Sequence, residues 1–400
     1  VELYHFPTDL EQIIDDFTGR GPNETRQLAE AVLELSDLFV GRAPWGGEYA
    51  RSEALRRAYL CYYLPVNVPK IRVPLSEWLR RFPRRLAGLS LRCLDLGAGP
   101  GSALLGLVDF VRELPADERP RRLEMVALDQ SFASLKDAEQ LLRRFAERAG
   151  IAIDFHPMRL DLVAERSDLF ALASAAGPFD LVIAANVICE IVRESADGEE
   201  GLTRAAALLS ASAKTLLSPQ GSILVIEPGL RETARNLHRL RDRVLTSTAL
   251  HVQAPCLHEA PCPALTTRRD WCIVDFAWEP PAIVAALDRH TGLRKGSLKF
   301  AYMVLTLESV SSLPATTWRV VSDVLDLKGE RRAYLCSEGR WIVLRQLKRE
   351  AGDAAEAFAS LRRGDLVEIS GVEPKGALFR LPPSGSIRRV RRAFTPSRIE

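Results

Sequence analysis

Seven cysteines occur in this chain, and four of them, Cys256, Cys262, Cys272 and Cys336, stand in stretches with too little apolar periodicity to bury them as ordinary core residues. Cys61, Cys93 and Cys189 sit instead in apolar runs (Tyr59-Leu-Cys61, Leu91-Arg-Cys93-Leu, Val187-Ile-Cys189) and read as small buried hydrophobes. Four soft thiolates suit either a tetrahedral zinc ion or an iron–sulfur cluster. Zinc sites usually carry a Cys-x-x-Cys turn, and the spacing Cys256-x5-Cys262-x9-Cys272 has none. The longer, proline-flanked spacing points to the wider cubane of a [4Fe–4S] cluster, with zinc as the alternative. His258, inside the loop, is placed to replace a cysteine or to hydrogen-bond a sulfur. The pairs Pro255-Cys256 and Pro261-Cys262 look like the nucleophiles of cytosine-C5 methyltransferases, but two such pairs in one short loop fit ligation better. Bringing in Cys336 predicts a clamp between two parts of the chain.

A second constellation is the run Asp95-Leu-Gly97-Ala-Gly99-Pro-Gly101. Its glycines allow a tight turn and close ligand approach, and the helix that follows presents free N–H groups. Dinucleotide binders space their glycines Gly-x-Gly-x-x-Gly, which would put the third at Ser102; here it is Gly101. That spacing matches the methyltransferase variant, in which the methionine moiety of S-adenosyl-L-methionine replaces the pyrophosphate. Asp95, Gly97, Gly99 and Gly101 are therefore the expected cradle. Asp129, at the end of the next predicted strand, is placed for the ribose hydroxyls, and Asp161, after the third, for the adenine amine. Capping of strand and helix ends is the competing role for both. Asn186 and Glu190, after the fourth strand, are candidates for positioning an acceptor, with local capping as the alternative.

These residues need a scaffold, and the periodicity supplies one. Residues 1–88 read as helical, broken at Pro65, Pro69 and Pro74 by an extended connector. Residues 89–310 alternate strand and helix, which predicts a doubly wound parallel sheet, a Rossmann-like methyltransferase domain of the α/β class. A Cys-rich metal-binding insertion covers 252–280, and 299–307 is expected as the last strand. Short β-like segments over 316–372 predict a small β-rich domain, a partly open barrel, and 373–400 reads as a basic, poorly ordered tail.

Composition removes several classes. No apolar run approaches the roughly 20 residues of a membrane span, and the first residues have neither a secretory pattern nor an Arg-rich, acid-poor presequence. A cytoplasmic monomer is the default expectation, and a processed mitochondrial chain has the same composition. The net charge of +2 does not by itself point to nucleic acid, but Arg80, Arg81, Arg84 and Arg85, and again Arg388, Arg389, Arg391, Arg392 and Arg398, form local basic clusters.

The series Leu94-Asp-Leu-Gly-Ala-Gly-Pro-Gly101, Asp180-Leu-Val-Ile-Ala-Ala-Asn-Val-Ile-Cys-Glu190, Ala254-Pro-Cys-Leu-His-Glu-Ala-Pro-Cys-Pro263, Asp270-Trp-Cys272, Lys299-Phe-Ala-Tyr302 and Tyr334-Leu-Cys336 resembles the Rsm-type (ribosomal small subunit of mitochondria) methyltransferase-like family over roughly residues 50–345. That family includes methyltransferase-like protein seventeen and bacterial homologues. The resemblance implies a [4Fe–4S] cluster on Cys256, Cys262, Cys272 and Cys336, S-adenosylmethionine at the glycine loop, and association with small-subunit ribosomal RNA during assembly. The chain departs from the family at Trp271-Cys-Ile-Val274, where Trp-Cys-His-Phe is usual, and at 275–281, where a basic segment usually follows. Three functions follow as expectations: methylation of the small subunit, a non-catalytic assembly factor using the same fold to bind RNA, and, more distantly, a zinc-containing small-molecule methyltransferase.

Overall fold

The computed structural model describes residues 3–19, 24–43, 50, 52–82, 86–87, 90–162, 176–309, 313–376 and 378–392. The first strands are β1 (Tyr4–His5), β2 (Ser90–Leu96), β3 (Arg122–Asp129), β4 (Ile153–Arg159), β5 (Phe179–Ala185), β6 (Leu217–Pro228), β7 (His251–Ala254), β8 (Val274–Glu279) and β9 (Ser297–Thr306). They form one nine-stranded sheet in the order β1-β8-β9-β6-β5-β2-β3-β4, with β7 also on β9. The five strands from β2 to β6 are all parallel, as their nearly continuous Val, Leu and Ile runs require when both faces are covered. β9, expected as the last strand, is the last of this sheet in chain order; in space it lies inside, antiparallel to both β6 and β8, and the short β8 and β1 complete that edge.

Helices Thr8–Thr18, Ser102–Glu113 and Phe132–Ala149 close an apolar core on one face. Helices Gly198–Thr215 and Arg231–Ser247 close a second core on the other. The sheet's direction of winding reverses between β2 and β5, and ligands bind such sheets at the crevice beyond those strand ends.

The expected connector at Pro65, Pro69 and Pro74 is instead continuous helix. Glu53–Ala58 passes into a π turn, Tyr59–Tyr63, then Leu64–Asn67, a 3-10 turn Val68–Ile71 and Arg72–Arg81. Pro65 and Pro69 open their segments and Pro74 lies in a first turn, where the missing N–H breaks no helical bond. Arg72 anchors this run: its guanidinium donates to Asp109 at 2.8 Å, with both side chains fully buried, and the Tyr4 hydroxyl donates to the same carboxylate at 2.8 Å.

The C-terminal strands are β10 (Thr317–Val320), β11 (Leu325–Leu327), β12 (Glu330–Ser337), β13 (Arg340–Leu347), β14 (Leu366–Ser370), β15 (Glu373–Lys375), β16 (Leu378–Arg380) and β17 (Ser386–Arg391). Their order is β15-β16-β13-β12-β10-β14-β17, with β11 on β12. β16 pairs with β13 in parallel and β17 with β14 in antiparallel. Only Leu381-Pro-Pro-Ser-Gly385 separates β16 from β17, so together they act as one interrupted strand that closes the ring. With helix Asp353–Ala359 between β13 and β14, this is the five-stranded Greek-key arrangement of an OB-fold barrel. It carries the β-rich region past residue 372 into the stretch expected as tail. Three of the expected tail arginines are used there in ion pairs: Arg388 with Glu368, Arg389 with Asp365 and Arg391 with Glu77. Arg84, Arg85 and Arg398 lie outside the described residues.

Glu77, on helix Arg72–Arg81, ties the barrel to the rest of the chain. Its carboxylate meets Arg391 at 2.8 Å and Arg319 at 3.4 Å. Burial alone would push this carboxyl up, yet Arg319 and Arg391 hold it below the usual range. Replacing it leaves Arg319 buried and unpaired, which costs about 3–5 kcal/mol. Glu77→Gln is therefore expected to lower the denaturation midpoint and to speed proteolysis between sheet and barrel, while Arg388→Gln at the exposed Glu368 pair changes neither; equal behaviour of the two variants would contradict this role.

Candidate functional site

Two sites emerge, one at the switch point of the sheet and one between sheet and barrel. At the first, β2 delivers Asp95 and the loop after it. Gly97, Gly99 and Gly101 all adopt positive φ, at 71°, 52° and 82°. Gly101 must also be bare because a Cβ there would lie 3.1 Å from the Cβ of Ala138 on the next helix. A Cβ on Gly99 would meet nothing within 4 Å, so the loop's middle faces open space. β3 ends at Asp129, whose carboxylate accepts from Gly99 N and Ser131 N at 2.8 Å each. Burial raises its pKa, and those two N–H groups oppose the rise. Asp129 thus ties the glycine loop to the turn that opens the next helix, one oxygen to each. Asp161 follows β4, half-buried, at the same edge of the sheet.

Asp95 marks where a cofactor's cationic end would be received. Both its carboxylate oxygens are buried and lack a hydrogen-bond partner, and burial, with Asp129 next, raises its pKa well above the ordinary value. An orphaned buried carboxylate beneath an open glycine loop suits a ligand bearing a cationic ammonium, as the methionine end of S-adenosylmethionine does.

The acceptor side is built from β5. Asn186 follows it at φ 61°, a left-handed conformation uncommon outside glycine, and its buried Oδ1 has no partner. Glu190 lies one helical turn on, in Ile188–Glu194, half-buried. Burial, followed by the charges of Asp129, Glu194 and Glu227, pushes it up to about 8. Glu227, at the end of β6, accepts from the backbone N of Ile188 and Cys189 at 3.0 Å each and so fixes that helix; burial pushes it up to about 7. Cys189 is half-buried beside this pair and not deep in the core as its sequence context suggested.

The opposite wall was not among the expected site residues. Lys70 is buried, and its ammonium donates to Asn67 Oδ1 at 2.7 Å; Asn67 Nδ2 donates to the Tyr59 hydroxyl at 3.2 Å. Burial, with Lys295 second, pushes Lys70 down to about 7. These residues come from the helical run read as a connector, and the uninterrupted apolar spacing of 55–63 was the signal that the helix continues.

At the second site, Cys256, Cys262, Cys272 and Cys336 line one cavity of about 640 Å³ between sheet and barrel. Burial raises three of the thiols, Cys262 to about 12 and Cys272 to about 11, and Cys256 is the next cause for each, Cys336 included. Among the described residues, no group of three or more His, Cys, Asp or Glu side chains is arranged to hold a metal ion, so the metal site expected on these four cysteines is not shown by their placement. His258 Nε2 stands 3.8 Å from Cys336 Sγ, in the sulfur-hydrogen-bonding role of its two expected ones.

One face of helix Arg231–Ser247 organises the cysteine loop. Arg235 donates to the carbonyls of Ala264 at 3.1 Å and Asp270 at 2.6 Å. Arg241 donates to those of Ala260 and His258, Asp242 accepts from Cys262 N at 2.9 Å, and His238 Nε2 accepts from Cys272 N at 3.0 Å. Sequence reading saw only a basic helix. The spacing of Arg235, His238 and Arg241/Asp242 was the available signal that this face has a partner.

Glu190 and Glu227 give a pH dependence with a definite sign. The folded chain keeps these protons between pH about 4.5 and 7–8, where the unfolded chain has lost them, so stability falls as pH rises through that window. The slope contributed is at most about 1.4 kcal/mol per pH unit for each group. Because His238, His258 and Lys70, whose pKa values burial lowers, act in the opposite direction, the readable quantity is a difference: from pH 5 to 8 the ligand-free wild type should lose stability relative to Glu190→Gln, and parallel profiles would contradict the burial of this proton.

Comparison with known proteins completes the picture. No curated protein matches the chain. Solved structures with a similar course include a SAM-dependent methyltransferase from Thiobacillus denitrificans in complex with S-adenosyl-L-homocysteine (15% identity, 60% of this chain and 91% of that one, TM-score 0.31). The trans-methyltransferase CalH, also in complex with SAH, shares 16% identity over 74% of this chain and 72% of its own, with a TM-score of 0.37. A human methyltransferase 10 domain containing protein shares 12% over 60% and 83%, with a TM-score of 0.33. A sequence model of the family described as mitochondrial small ribosomal subunit Rsm22 matches residues 56–367, most of the chain and both sites, and the chain therefore belongs to the Rsm22 family.

Proposed function

We propose that this protein binds S-adenosylmethionine at the glycine loop and transfers its methyl group to a component of the small ribosomal subunit, with a [4Fe–4S] cluster on Cys256, Cys262, Cys272 and Cys336 holding the barrel in place. The observation that carries the reading is the orphaned Asp95 carboxylate under the open loop at the switch point, in a chain of the Rsm22 family.

Bound there, S-adenosylmethionine supplies an electrophilic methyl group on a sulfonium. Asp95 faces the amino end, and Asp129 and Asp161 are the acceptors for ribose and adenine. Asn186 presents its unpartnered Oδ1 on the acceptor side, oriented to take a hydrogen bond from an incoming N–H or O–H. Glu190, pushed up to about 8, can take the proton that the acceptor loses only in its ionised form, so transfer through it rises as pH approaches 8.

The spacing favours a polynuclear cluster over a single zinc, since Cys256, Cys262 and Cys272 form no Cys-x-x-Cys turn, and all four cysteines line one cavity. Arg241 and Arg319, which the thiols influence electrostatically, offset the negative charge of a thiolate-ligated cluster. Its role here is structural: three ligands come from the sheet domain and one, Cys336, from β12. Cys336→Ser is expected to lose bound iron and to become protease-sensitive in the 307–316 connector. A fully metallated, protease-resistant variant would remove Cys336 from the ligand set.

The activity is tested with small subunits from a strain lacking this gene, radiolabelled S-adenosylmethionine and protein purified without oxygen. Label in RNA or protein that disappears with Asp129→Ala is the expected result. Co-sedimentation without label would overturn transfer and leave an assembly factor that uses the fold for binding.

A further inference from the structure

We infer that the outer face of the β12–β13 hairpin is a docking surface for single-stranded RNA, an inference that rests on the ribosomal reading above. The barrel's topology singles out this face. In an OB-fold the second and third strands, flanked by the loops after the first and fourth, form the side that takes extended oligomers, and here those strands are β12 and β13.

The pleat decides which residues that face presents. Ala333, Leu335, Ile342 and Leu344 point inward and are buried. Their neighbours Arg332, Tyr334, Cys336, Trp341, Val343 and Arg345 therefore point outward, and all six are only half-buried. The register sets Arg332 opposite Arg345, Tyr334 opposite Val343 and Cys336 opposite Trp341. Two aromatic rings thus stand on one face, their centroids 6.2 Å apart and tilted by 55°. Next to them, Arg332 and Arg345 both bond to the carboxylate of Glu330. Two guanidiniums on one carboxylate leave a surplus positive charge and hold both cations in fixed orientation. Exposed Leu325 and Leu327, paired with Arg332 and Glu330, extend the face into the loop after β10.

Paired aromatic rings with adjacent arginines are what unpaired bases and their phosphates require: rings for stacking, cations for the backbone. A duplex offers no free base faces, so it meets only the cations. An acidic protein segment would use the arginines and leave the rings idle. Cys336 shares this face at its far end, where Trp341 also lines the cysteine cavity, so the RNA would run away from that cavity, across Tyr334 toward Arg332 and Arg345.

The test uses the full chain purified without oxygen and a fluorescent single-stranded RNA of about 12 nucleotides, within the span of one such barrel, alongside its duplex. Single strand is expected to bind at least about ten-fold tighter than duplex. Tyr334→Ala should weaken single-strand binding about ten-fold or more, from the stacking lost, while Tyr334→Phe stays near wild type. Equal affinity of Tyr334→Ala and wild type, or no preference over duplex, overturns the proposal. Should Tyr334→Ala fold poorly, photocrosslinking of wild-type protein to thiouridine-containing RNA decides: adducts within 325–347 support the surface, and adducts confined elsewhere overturn it. Sedimentation with small subunits is read separately, since wild type that binds the oligonucleotide but not the subunit refutes the ribosomal reading alone.

Discussion

The fold turns on a mutual dependence between two buried arginines and a loop with little ladder of its own. Arg235 and Arg241 are buried, and a buried guanidinium without partners is prohibitively unfavourable. The loop from Pro255 to Cys272 has carbonyls that need donors, since its only regular piece is the 3-10 turn Pro263–Thr266. Each side satisfies the other through charge-assisted bonds of about 1.5–3 kcal/mol. The consequence is geometric: three cysteines are fixed against the sheet before any ligand arrives, and Cys336 needs only the hairpin of β12 and β13 to be presented to them. The Glu77 pairs with Arg319 and Arg391 do that from the other side of the cavity.

Separation of the two sites follows from the same sheet. The strand ends on either side of the β2/β5 reversal carry the glycine loop and the Asn186 turn. The reversed strand β9, further along, carries Ala301, Tyr302 and Met303 into the cysteine cavity. Both sites are therefore built on one sheet. A helical wrap from Glu53 to Arg81 touches both, giving Tyr59, Asn67 and Lys70 to the first and Glu77 to the second.

Much of this was legible in the residues. The parallel strands declared themselves because doubly covered strands are continuous apolar runs, and the glycine loop because positive φ leaves few residue choices. The four cysteines stood out because their surroundings had no period. What escaped detection has physical reasons as well. Pro65 and Pro69 read as breakers, yet a proline opening a helical segment breaks nothing, and only the packing of Arg72 on Asp109 shows that the chain stays helical. β17 read as tail because its arginines look solvated; their carboxylate partners Glu368, Asp365 and Glu77 lie 20 or more residues away in sequence. Lys70 and Glu227 carried no local mark, because their altered protonation arises from burial that only the assembled fold creates.

The central claim is that four thiols gathered from two domains hold one polynuclear cluster. Iron, zinc and acid-labile sulfide measured together on protein purified without oxygen test it most directly. The account predicts about four iron and four sulfide per chain, as a [4Fe–4S] cluster requires, with both lost in Cys336→Ser. One zinc per chain with no sulfide would contradict it.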